Sequence, residues 1–141
     1  MKSFISILIC TILVSSCDPG YAVILNNRSA EIKQVKVIKS SKHKYFRIPE
    51  KDSLQAMDFP ISNPYSQTIK EMIFISKDTI NNCFTLLLGN NKSVILEKGV
   101  GFADPNQKIV INKIDTIKLK DDKRAIFKKK RRSTIINIYL D

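Results

Sequence analysis

The chain has 141 residues, with 24 Lys and Arg against 13 Asp and Glu, one His, three Cys and no Trp. That length suits a single domain with room for a real core. Its formal charge of +11 points to anionic partners, while the absence of a G-x-S-x-G elbow, an H-E-x-x-H pair or a glycine-rich phosphate loop argues against the common enzyme chemistries.

The chain opens on Met1-Lys2-Ser3, a short positive end, followed by eleven apolar-dominated residues from Phe4 to Val14. Eleven residues are too few to span a bilayer as a helix, but they suit a signal peptide. Val14-Ser15-Ser16-Cys17 then sets small side chains before a cysteine. This segment resembles the type II signal peptides of bacterial lipoproteins, and the resemblance covers residues 1–17. It implies cleavage between Ser16 and Cys17, with a diacylglycerol thioether and an N-acyl chain on Cys17 and no other cofactor. The expected organisation is a signal peptide at 1–16, a lipidated cysteine and tether at 17–20, and one domain at 21–141. An ordinary secretory signal is the alternative, with Val14 and Ser16 at the −3 and −1 positions and Cys17 available for a disulfide with Cys83. Removing residues 1–16 takes one lysine and no acid, which lowers the charge from +11 to +10. It also takes Cys10. With Cys17 acylated, Cys83 and His43 are left, too few ligands for zinc.

The tether is short. Cys17-Asp18-Pro19-Gly20 spans at most about 14 Å when extended, so the domain is expected to ride close to the headgroups. Asp18 after a lipidated cysteine is a retention signal for the inner membrane in some bacteria, which leaves the choice of membrane open.

From residue 21 onward the apolar period is close to two, in short β-branched and aromatic runs that read as strands. They are expected at 21–26, 32–38 (Val35 and Val37 facing one way), 45–48, 69–75, 83–88, 93–97, 107–112, 115–119, 125–128 and 134–140. The near-continuous apolar run at 69–75 suggests a strand covered on both sides. Gly89-Asn90-Asn91-Lys92 suggests a hairpin turn, because Gly and Asn tolerate positive φ. Residues 50–60 are either a short helix starting at Ser53 or a loop over one end. Together these signals predict an all-β fold, an antiparallel β-sandwich of the immunoglobulin or transthyretin kind with about seven to nine short strands.

Residues 118–132 hold nine positive side chains and two acids, Asp121 and Asp122, and are densest at Lys128, Lys129, Lys130, Arg131 and Arg132. Lysines on an exposed edge strand discourage pairing with another chain, and near an anionic surface each contributes on the order of 1 kcal/mol. Nucleic acid is an unpromising partner, because only Phe127 supplies an aromatic platform within the tract. Gly99-Val100-Gly101-Phe102 reads as a flexible loop in which Phe102 is either a binding anchor or a core side chain. Cys83, beside Phe84, reads as a small buried hydrophobe. His43 sits among lysines as a solvated imidazole, and neighbouring Asp121 and Asp122 form no catalytic dyad unless a turn brings them together.

The expected function is therefore non-catalytic. The chain reads as an envelope protein lipid-anchored on the exported side of an inner or outer membrane, serving as a binding or accessory module for another envelope protein. The alternative is direct binding of an anionic lipid or glycan through the basic C-terminal face.

Overall fold

Alternation decides the strands. Val35 and Val37 are fully buried while Gln34 before them and Lys36 between them are exposed, and Ile109, Ile111 and Ile117 point inward in the same way. The computed structural model describes residues 19–40, 48–61, 71–130 and 133–141, and the strands among these make an all-β sandwich of two sheets. In chain order they are β1 (Gly20–Asn27), β2 (Lys33–Ile38), β3 (Ser53–Asp58), β4 (Glu71–Phe74), β5 (Ser76–Asp78), β6 (Cys83–Leu88), β7 (Lys92–Val100), β8 (Lys108–Ile111), β9 (Asp115–Lys118), β10 (Ala125–Lys130) and β11 (Ser133–Leu140). One sheet runs β10-β11-β1-β7-β3-β4 and the other β5-β6-β2-β8-β9. Their facing sides enclose a core that includes Leu25, Leu88, Phe84, Val94, Leu96, Ile117 and Ile138.

The expected antiparallel sandwich is present, with eleven described strands where about seven to nine were expected. One pairing is parallel, β1 with β11, which joins the first strand to the last. The possible helix or loop at 50–60 is instead mostly β3, an interior strand that buries Leu54, Ala56 and Met57. The apolar run at 69–75 is not covered on both sides. Its described part is edge strand β4, with Met72 and Phe74 exposed, and the chain then crosses to the other sheet at buried Ile75. The Gly89-Asn90-Asn91 turn is tight, with Asn91 at φ 50, but it links β6 to β7 in different sheets and closes no hairpin. A hairpin turn does follow β8, where Asn112 and Lys113 both take positive φ and the Ile114 N–H donates to the Ile111 carbonyl at 3.0 Å. The expected strand at 45–48 lies outside the described residues except for Ile48, which is not in a strand. Cys83 is buried with its thiol free, as a small hydrophobe.

Between β9 and β10 the chain turns through an ion triad. The Arg124 guanidinium grips Asp122 with two bonds, Nε to Oδ1 at 3.0 Å and a terminal nitrogen to Oδ2 at 2.7 Å, and also pairs with Asp115. Hydrogen bonds from Arg124 are the main reason both carboxyls lie below the usual aspartate range. Groups depressed in this way stabilise the fold above the unfolded pKa of about 3.9 and lose that contribution as pH falls further. We expect the urea midpoint to drop below about pH 4 and Arg124→Gln to shrink that drop. Because the triad is partly solvent-exposed, with Asp115 half exposed, the difference should stay under about 1 kcal/mol; a pH profile identical in both proteins would remove the triad's role.

Candidate functional site

A β-bulge sets the phase of the site. Val23 of β1 pairs with Glu97 of β7, but its neighbour Ile24 pairs with Ile95, which leaves Leu96 as an extra residue. Leu96 and Glu97 are thereby both turned toward the second sheet, where strict alternation would have sent Glu97 outward. From the other side comes Lys39, which follows Val35 and Val37 at a spacing of two and shares their inward face. Its side chain is 1% exposed. Lys39 Nζ pairs with Glu97 and also donates to Gln107 Oε1 at 2.9 Å, and the Tyr21 hydroxyl donates to the other Glu97 oxygen. Burial first, then the hydrogen bond and negative charge of Glu97, push the Tyr21 phenol well above its ordinary value, so it stays a donor.

This buried pair organises one end of the sandwich, where β1 begins. The loop after β7 leaves through Gly101, whose φ of +99 lies in the left-handed region that favours glycine. Gly99 lies beneath the Tyr21 ring, and a Cβ there would approach it to 3.3 Å. Asp104, fully buried, accepts the Ser40 N–H at 2.7 Å and the Asn106 N–H at 2.9 Å. Gln107 then donates its N–H to the Asp104 carbonyl at 3.2 Å and accepts the Leu119 N–H at 3.1 Å. Fastened at Gly101, Asp104 and Gln107, the loop holds Phe102 out, 78% exposed.

The same end gathers the chain's start and its basic tract. Gly20 pairs with Ser133, and Lys130 pairs with Ser133 from the other side. The Pro19 carbonyl accepts the Gly101 N–H at 2.7 Å. Lys128 and Lys129 lie exposed on β10, which is an edge strand, so they also protect that edge. Lys108 and Lys118, paired across β8 and β9, are exposed at this end too, as is Lys120 just beyond. The opposite end carries mixed charge, including the Arg124 triad and the Lys92 pairs with Asp58 and Glu71.

The expected site residues therefore fall together in part. Phe102, Lys128 and Lys129 share one end with the start of β1, and Lys130 ends β10 there. Cys17, Ser16, Arg131 and Arg132 lie outside the described residues, as does His43. Asp52 and Asp58 stand at opposite ends of β3, paired with Lys77 and Lys92. Asp121 and Asp122 do sit in a turn, both N–H groups donating to the Lys118 carbonyl, but Asp122 is engaged by Arg124. Among the described residues no group of His, Cys, Asp and Glu is arranged to hold a metal, and no helix is long and apolar enough to cross a membrane. Sequence reasoning missed Lys39, Glu97 and Asp104. Lys39 was legible as the next inward position after Val37. Glu97 was not, because the bulge that aims it has no sequence signature here.

Comparison with protein-family models, curated proteins and solved structures finds no match to this chain.

Removing one partner of a buried ion pair typically costs about 3–5 kcal/mol, whereas replacing both with neutral groups of similar size costs far less. Lys39→Met should therefore lower unfolding free energy by about 3 kcal/mol in urea titration, and adding Glu97→Gln should restore most of it. A single variant that costs under about 1 kcal/mol would show that the pair does not hold this end together.

Proposed function

We propose that this chain is a non-catalytic binding or accessory module of a bacterial envelope, anchored through lipid on Cys17 and seated with its basic end on an anionic membrane surface. The observation that carries the reading is the β1–β11 register. It sets Gly20, three residues after Cys17, beside Ser133, which pairs on its other side with Lys130 at the end of the strand that carries Lys128 and Lys129 and which directly follows Arg131 and Arg132 in sequence. Two features more than a hundred residues apart in sequence thus share one end of the molecule. Four residues at about 3.5 Å each cannot carry the domain far from its anchor, so that end faces the headgroups. The alternative put forward from sequence, anionic lipid as the ligand of the basic face, therefore gains support over a protein contact at the same face.

An envelope protein partner is then left the far end. Exposed Ile32, Leu87 and Ile114 are grouped there around Gln34 and Asn112, where the Asn112 N–H donates to the Gln34 carbonyl and the Gln34 N–H to Asn112 Oδ1, next to the β8–β9 turn. Isolated exposed apolar residues are ordinary, whereas a group on one surface marks a contact region.

Both halves are testable. The mature chain with Cys17→Ser should adsorb to vesicles containing anionic lipid and not to neutral ones. Adsorption should fall steeply as ionic strength rises from about 0.01 to 1 M, over which the Debye length shrinks from about 30 to 3 Å. Replacing the five basic residues 128–132 by Gln should weaken it by at least about tenfold. Adsorption indifferent to salt and to the five substitutions would sink the membrane-facing role. In native membranes, crosslinking and mass spectrometry should yield a protein adduct that survives those substitutions but is lost when Ile32, Leu87 and Ile114 become Ser. No adduct in either form would remove the protein partner.

A further inference from the structure

Along β10 the alternation puts Phe127 directly opposite Ile136, on the face turned toward the second sheet, yet Phe127 is 54% exposed. The sandwich is open here. β9, the last strand of the five-stranded sheet, is only four residues long and leaves the inner face of β10 and β11 partly uncovered. The gap is an apolar groove of about 370 Å³ with Tyr21, Ala103, Leu119 and Ile136 among its walls. Phe102 and Phe127 form its rim and Lys120 stands at its mouth. Val100, 69% exposed at the end of β7, adds to the apolar surface at this end.

We propose that this groove and its aromatic rim enter the acyl region of the bilayer that carries the Cys17 anchor, an inference that rests on the anchoring described above. Three observations select a bilayer as the occupant. The first is where the chain leads. The Pro19 carbonyl is bonded to Gly101, the residue before Phe102, and the two residues from Cys17 to Pro19 span at most about 7 Å, so lipid on Cys17 would enter the bilayer beside the groove. The second is charge. Exposed Lys108, Lys118, Lys120, Lys128 and Lys129 surround an apolar centre, the pattern of a surface whose apolar part is buried at the acyl boundary while long cationic side chains reach headgroup phosphates. The third is rigidity. Phe102 is exposed because Gly101, Asp104 and Gln107 fix its loop, so the ring does not fold back into the core.

The chain contains no Trp, so a single substitution provides a clean optical reporter. Phe102→Trp, Phe127→Trp and Ile114→Trp would each be made in the full lipidated chain and reconstituted into vesicles with bromine on the acyl chains. Lipid on Cys17 would be verified by mass and vesicle association by flotation. The expected result is a shift of emission to shorter wavelength and quenching by bromine at 102 and 127, with neither at 114. Water-like, unquenched emission at 102 and 127 in a chain that carries its lipid and floats with the vesicles would overturn the insertion while leaving the anchor intact. Quenching at 114 would overturn it as well, by showing the opposite orientation. A chain without lipid mass, or one that fails to float, would refute the anchoring and the insertion together, through readouts independent of fluorescence.

Discussion

The buried pairing of Lys39 with Glu97 is the constraint on which the end of the sandwich that carries the candidate site depends. Taking two charges out of water is unfavourable by several kcal/mol per ion, and their attraction repays that only with well-placed additional hydrogen bonds. Tyr21 and Gln107 supply such bonds, so the cluster is specific in shape as well as in charge. It joins β2 of one sheet to β7 of the other at the point where the loop of residues 101–107 crosses between them. Apolar side chains alone would bring the sheets together but would tolerate sliding; a lysine with fixed partners does not. The held-out position of Phe102 and the placement of Asp104 follow from that anchorage.

Topology then does what sequence distance would not suggest. An antiparallel meander would have left the first and last strands at opposite edges, whereas the parallel β1–β11 pairing sets them side by side inside the six-stranded sheet. A parallel neighbour puts the start of one strand beside the start of the other. Gly20, close after Cys17, and Ser133, directly after the basic run, are both strand starts, so they lie together. The charge asymmetry between the two ends follows from this closure, not from any clustering of lysine that composition alone would reveal.

How much of this was legible depended on whether local period and tertiary environment agreed. The strands at 83–88 and 134–140 were readable because they alternate in part against a single core, whereas 21–26, buried along its whole length, was readable from its apolar β-branched and aromatic run. The stretch 50–60 was ambiguous because Leu54, Ala56 and Met57 fit a helical spacing as well as a strand. The apolar residues at 72 and 74 misled because they lie on an edge strand just before a change of sheet, where Met72 and Phe74 stay exposed. Glycine and asparagine correctly marked a turn at 89–91, but turn chemistry does not say whether the next strand stays in the same sheet. At the candidate site, the basic tract and Phe102 stood out in sequence, yet their nearness to the tether was invisible without register. Glu97 depended on one extra residue in β7, and a bulge of that kind leaves no periodic trace.

On the proposed lipid anchoring, the contributions of the lipid, the lysines and the apolar groove at the basic end differ in kind, and that difference explains how they can coexist. Two or three acyl chains at about 0.8 kcal/mol per buried CH₂ already hold such a chain durably, so neither lysines nor aromatic rings are needed for affinity. A tether of a few residues still permits the domain to tilt and spin about its anchor. Once a domain is anchored in this way, the local concentration of membrane is high, and contacts that bind only moderately from solution become decisive for orientation. Lysines act over about a Debye length and choose which end faces the lipid, though they do so less well as salt rises. Apolar side chains act only at contact, are insensitive to salt, and fix depth and tilt. On the proposed anchoring, a basic end with an apolar centre would orient the sandwich where either feature alone would leave it loose, and would keep the opposite end, with Ile32, Leu87 and Ile114, turned away from the membrane.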